Sequence, residues 1–178
     1  MLEVSTHQVP QVKRSKVRNN GDPPIKLFPM AFFYGATADS TGGASVCIWI
    51  NKLHYLSSKL GCGHSTNTRV ELLALWALLY IAKDIGLPYL HVFGNSSVII
   101  NWAKGEFTLA MVNLEAWCNN TKKIISSFTY VDFSHVYREY NKRADILSKA
   151  GLNMVSGHLT FTKICEGELF GEVELHIF

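Results

Sequence analysis

The side chains of this 178-residue chain that could do chemistry are few and scattered. Lys13, Arg14, Lys16 and Arg18 form a basic run of the kind that contacts phosphates or serves as a nuclear address. Cys47, Cys62, Cys118 and Cys165 have no Cys-x-x-Cys spacing and no histidine at zinc-finger distance, so they read as reduced, mostly buried thiols. Tyr34, Glu71, Asn95, His135 and Asp145 are further polar positions to weigh. By type alone, Glu71 is a carboxylate in the first turn of a helix, Asp145 a helix surface charge and His135 a rim histidine. Any further meaning depends on the elements that carry them.

Those elements are legible from residue 30 onward. Ala31–Ala36 reads as a strand, Asp39–Gly43 as a turn, and Ala44–Ile50 and Leu53–Leu60 as two more strands with links short enough for antiparallel neighbours. Thr66–Ile85 has Val70, Leu73, Ala74, Ala77, Leu78 and Ile81 at helical spacing, and Gly86-Leu87-Pro88 stops it. Tyr89–Phe93 is a short apolar strand, and Asn95-Ser96 can cap a helix running to Gly105. A helix over Leu114–Ser127, a strand over Thr129–Val136 and a helix over Asn141–Ala150 complete the pattern. The order βββ-α-β-α-α-β-α predicts an α/β fold: a five-stranded mixed sheet, three antiparallel strands followed by parallel crossovers, flanked by helices.

Placed on these elements, Tyr34 lies in the first strand within Phe33-Tyr34-Gly35-Ala36, Glu71 in Thr66-Asn67-Thr68-Arg69-Val70-Glu71-Leu72, and Asn95 just after the fourth strand. Asp145 opens the last helix, ten residues after His135. This arrangement resembles type 1 ribonuclease H, and the stretch from His135 to Asp145 looks most like the reverse transcriptase-associated domains of plant retroelements. The resemblance covers residues 30–152 and implies the ribonuclease H-like fold. In that family an Asp on the first strand, a Glu on the first helix, an Asp after the fourth strand and an Asp on the last helix hold two Mg2+ ions that drive hydrolysis of RNA. Here the first and third of these positions are Tyr34 and Asn95.

Only Glu71 and Asp145 are left as metal-ligating candidates, and a phenol and an amide are poor ligands for a hard cation. The resemblance therefore implies a degenerate active site with little or no hydrolysis, engaging Mg2+ or Mn2+ only if residual activity remains. Asp39, five residues beyond Tyr34, is a nearby carboxylate, but its place in the turn aims it elsewhere. His135 matches the family's mobile product-release histidine, while Asn141 and Arg143 read as helix-start and surface residues. Binding can outlast catalysis: Gly35 and Ala36 correspond to backbone beside the nucleic acid, and Thr66, Asn67 and Thr68 to a helix N-terminus that contacts RNA. RNA or an RNA/DNA hybrid is the implied partner.

Composition and charge frame these expectations. With 48% hydrophobic, 12% aromatic and 17% charged residues, the chain can build a real core, which sets aside a disordered class. An uninterrupted apolar stretch of about 20 residues, as a membrane span requires, is absent from the sequence. Residues 1–29 read as a flexible basic arm, and residues 1–30 hold five basic against two acidic side chains. Residues 153–178 hold Lys163 against Glu166, Glu168, Glu172 and Glu174, and alternate as added strands whose edge could pair with a partner protein. Met1–Asn20 lacks an apolar signal core, so an intracellular setting, nucleus or cytoplasm, is expected.

Overall fold

The computed structural model describes residues 27–178, and the basic run at Lys13, Arg14, Lys16 and Arg18 lies outside the described residues. Its central strand is β1, Met30–Ala38, whose first five residues are all buried. A strand with no polar side must sit inside a sheet covered on both faces, and alternation divides its side chains between them. Ala31 and Phe33 enter one core with Ile48, Leu73 and Leu90. Met30, Phe32 and Tyr34 enter a second, with Cys47, Phe93 and Ala144.

β2 (Thr41–Trp49) and β3 (His54–His64) follow β1 as antiparallel neighbours. The β1–β2 link is Asp39-Ser40, both at positive φ (48° and 62°), the backbone that matches hairpin twist. β4 (Tyr89–Gly94) and β5 (Tyr130–His135) add in parallel on the other side of β1.

Helix α1 (Asn67–Asp84) begins at Thr66, whose side chain accepts from the Arg69 amide, and it is apolar almost all round. It can be so because it is enclosed, with the sheet on one side and α2 (Ser97–Ala103) and α3 (Glu115–Ser126) against it. Trp76 of α1 meets Trp117 of α3 edge-on at 5.1 Å. Helix α4 (Lys142–Gly151) covers the opposite face. It approaches β2 so closely that a Cβ on Gly43 would stand 2.2 Å from the Ser148 carbonyl oxygen. The Ser45 hydroxyl donates to the carbonyl of Ala144 across the same contact.

The ribonuclease H-like arrangement is present, but the sheet has seven strands rather than five, in the order β5-β4-β1-β2-β3-β6-β7. β6 (His158–Cys165) pairs antiparallel with β3, and β7 (Glu168–His176) with β6. The extra pair joins because β3 would otherwise be an open edge, and because Leu159, Phe161, Leu175 and Ile177 bury against the first core. β7 is then the new edge, with Leu169, Phe170 and Val173 exposed. Among the described residues no helix is long and apolar enough to cross a membrane.

Candidate functional site

The site is built around the closest approach of β1 to α1. A Cβ on Gly35 would lie 2.8 Å from the Glu71 backbone nitrogen and 2.9 Å from the Val70 carbonyl carbon, so only a glycine lets the strand and the helix start touch. That contact sets Tyr34 beside the first turn of α1. Tyr34 is buried, and burial pushes its phenol above the ordinary tyrosine value; Asp145, which its hydroxyl hydrogen-bonds, and Glu71 push it further, while Arg138 opposes them. Tyr34, Glu71 and Asp145 therefore share one cleft.

Asp145 is engaged on both oxygens. Arg138 Nη2 donates to Oδ1 at 2.9 Å and Lys149 Nζ to Oδ2 at 3.4 Å, the latter one helical turn along α4. Burial disfavours the charged carboxyl, yet Arg138 and Lys149 together hold it below the usual carboxylate range. The same guanidinium lies 5.3 Å from the centroid of the Tyr34 ring, in cation–π geometry. Glu71, by contrast, is raised by burial, with a hydrogen bond from Ser96 working against the rise.

Asn95 and His135 sit at the ends of β4 and β5 and are tied to one another: His135 Nε2 meets the Asn95 carbonyl oxygen at 3.1 Å. The side chain of Asn95 is held in turn by Asn141, whose Nδ2 donates to Asn95 Oδ1 at 3.2 Å and to the Phe33 carbonyl at 2.8 Å. Asn141 stands at the start of α4 as the sequence suggests, but it is 2% exposed and stitches β1, the β4 end and α4 together. Its side chain makes no cap bond to α4, which frees it to turn inward. Arg143 does lie at the surface, over the stacked rings of Trp49 and Tyr55.

The start of α1 presents Thr66 and Asn67 at the surface with Thr68 behind them, alongside Gly35 and Ala36 of β1. Asn67 is not independent of the strand, because the Thr37 hydroxyl donates to its Oδ1. Asp39 is exposed at the hairpin tip, five residues or about 16 Å along an extended chain from Tyr34, and does not enter the cleft. Three residues went unread in the sequence: Thr37, and the two cations Arg138 and Lys149. The i, i+4 spacing of Asp145 and Lys149 was the available signal.

The donor set does not fit a pair of divalent cations. Two carboxylates converge, one already holding two side-chain cations, beside a buried phenol and an amide committed to Asn141. Among the described residues there is no cluster of three or more His, Cys, Asp or Glu side chains able to hold a metal. Hard cations take oxygen ligands, carboxylates foremost, and this cleft has spent half of what it has.

The layered architecture, with three antiparallel strands, two parallel additions and α4 on the far face, defines a ribonuclease H-like domain. The chain belongs to the reverse transcriptase-like family, whose sequence profile matches residues 34–151, the span from the buried tyrosine to the end of α4. In fold it is similar to ribonuclease H1 of the halophilic archaeon Halobacterium salinarum, with a TM-score of 0.65 at 23% identity over 70% of this chain and 96% of that one. LC11 ribonuclease H1, solved with an RNA/DNA hybrid, gives 0.64 at 23% identity over 70% and 96% of the two chains. The foamy viral protease-reverse transcriptase, also solved with a hybrid, gives 0.56 at 14% identity over 81% of this chain and 24% of that one. No curated protein matches the chain.

Proposed function

We propose that this chain is a catalytically degenerate ribonuclease H-like domain that binds RNA or an RNA/DNA hybrid without cleaving it efficiently. The observation that carries this reading is the state of Asp145, a carboxylate paired with Arg138 and Lys149 beside the buried ring of Tyr34. Two-metal hydrolysis depends on carboxylates that are free to hold the ions, because the metals activate the water and stabilise the leaving oxygen. Binding depends on other groups: the exposed helix start at Thr66, Asn67 and Thr68, the backbone at Gly35 and Ala36, and the basic run at Lys13, Arg14, Lys16 and Arg18. Two of the similar structures were solved with RNA/DNA hybrids, which supports the choice of ligand. An intracellular setting and descent from a retroelement enzyme belong to the same reading, the former resting on four unpaired cysteines.

The test is to follow binding and hydrolysis of one fluorogenic hybrid in the same samples, with Mg2+ and with Mn2+. Salt-dependent binding without turnover is the expected result, with a shallower salt dependence once residues 1–29 are deleted. Turnover at the rate of an ordinary ribonuclease H overturns it.

A second reading has one observation of its own. The edge strand β7 exposes Leu169, Phe170 and Val173 between glutamates, a surface on which another protein's strand could pair. Under that reading Val173→Lys abolishes capture of the partner and leaves hybrid binding untouched.

A further inference from the structure

The two cations on Asp145 are not enclosed. The side chains of Arg138 and Lys149 are 58% and 57% exposed, against 15% for Asp145, so their polar heads reach the carboxylate from the solvent side. Arg138 carries five N–H donors in a planar fork, of which the contact with Asp145 takes one nitrogen. Lys149 has three donors on an ammonium that touches Asp145 at a longer 3.4 Å.

We infer that the cleft grips nucleic-acid phosphate with the guanidinium of Arg138 and the ammonium of Lys149 in place of divalent cations; this rests on the binding function proposed above and names the groups responsible. Three observations lead to it. Arg138 is pre-positioned between the Tyr34 ring and Asp145, so little side-chain freedom is lost when a phosphate arrives. The charges of the cleft balance, Arg138 and Lys149 against Glu71 and Asp145, with Tyr34 and Asn95 neutral. A metal-free set of carboxylates repels phosphate, whereas a balanced cleft with outward-facing cations does not. Finally, Lys142 is exposed on the first turn of α4, three residues before Asp145.

Asp145 then has a role opposite in sign to that of a metal ligand. A ligand aspartate supports phosphate binding through its metal, and losing it weakens the complex. Here Asp145 competes with phosphate for Arg138 and Lys149, so losing its charge strengthens the complex.

The experiment is fluorescence anisotropy of a short labelled RNA/DNA hybrid titrated with the full chain in EDTA, over a series of salt concentrations. Arg138→Ala and Lys149→Ala are each expected to weaken binding by about 3- to 10-fold and to lower the salt slope by about 1. Asp145→Asn is expected to tighten it several-fold, and Lys83→Ala, at the far end of α1, to leave it unchanged. Thermal unfolding followed by circular dichroism identifies any variant that fails to fold, and Arg138→Lys supplies a folded replacement that keeps the charge while losing the fork. Binding that needs Mg2+, or that is weakened by Asp145→Asn, or that ignores both cation deletions, overturns the inference and leaves the binding function standing. Absence of hybrid and RNA binding in every buffer overturns both.

Discussion

Arg138 lies across the ring of Tyr34 and donates to Asp145 at 2.9 Å, so a buried phenol and a carboxylate of the same cleft are bridged by a single guanidinium. The bridge joins the end of β5 to α4 through the short 3-10 turn Arg138–Tyr140. Its consequence is electrostatic: Asp145 stays charged without a metal.

Arg138→Ala is expected to raise the carboxyl pKa of Asp145, measured by carbon NMR across an acid titration. The native carboxyl is depressed, so whatever stability the pairing contributes is present above the ordinary aspartate range and fades as pH falls through the depressed value. In the alanine variant that contribution shrinks, and its loss on acidification is complete at higher pH. A titration curve for Asp145 unmoved by the substitution contradicts the assigned contact.

Asn141→Ala removes the donor shared by the Phe33 carbonyl and Asn95 Oδ1 in a buried position. Leaving a buried carbonyl without its partner costs about 1–3 kcal/mol, read as a lower urea midpoint at unchanged slope. A midpoint equal to that of the native chain contradicts the bridge.

Gly35→Ala puts a methyl group 2.8 Å from the Glu71 nitrogen, against backbone on both elements. The overpacking is expected to cost about 1–3 kcal/mol and to shift the amide resonances of Val70 and Glu71. Resonances that stay in place would show that β1 and α1 stand further apart than described.

Burial lifts the thiols of Cys47 and Cys62 to about 11 and about 12. Both are 1% exposed, whereas Cys165 is partly exposed at the end of β6. Alkylation of the folded chain in mildly alkaline buffer, followed by peptide mass mapping, is expected to modify Cys165 first and to spare Cys47 and Cys62 until unfolding, because the thiolate is the nucleophile.

Much of the fold was readable because its signals are local. The α1 stretch carries its own period, cap and stop, and β1 its apolar run, which is why Glu71 could be placed on a helix and Tyr34 on a strand; that the two share a cleft came from the family resemblance. Residues 153–178 alternate as strands should, but that they pair with β3 depends on which sheet edge is left open, and alternation carries no such information. The cleft divided along the same line. Tyr34, Asn95 and Asp145 stood out as single positions in a pattern, whereas Arg138 and Lys149 matter only through a shared carboxylate that a 3-10 turn and one helical turn bring within reach. Asn141 does stand at a helix start, but its burial was not legible there, because its amide is taken by a carbonyl of β1 that lies far away in sequence.

The most direct measurement compares hydrolysis of an RNA/DNA hybrid by the native chain and by the double variant Tyr34→Asp/Asn95→Asp, each with Mg2+ and with Mn2+. The native chain is expected to bind the hybrid and leave it intact, and the variant, with four carboxylates restored to the cleft, to gain metal-dependent cleavage. Hydrolysis by the native chain at an ordinary ribonuclease rate contradicts the proposed loss of catalysis at Tyr34 and Asn95.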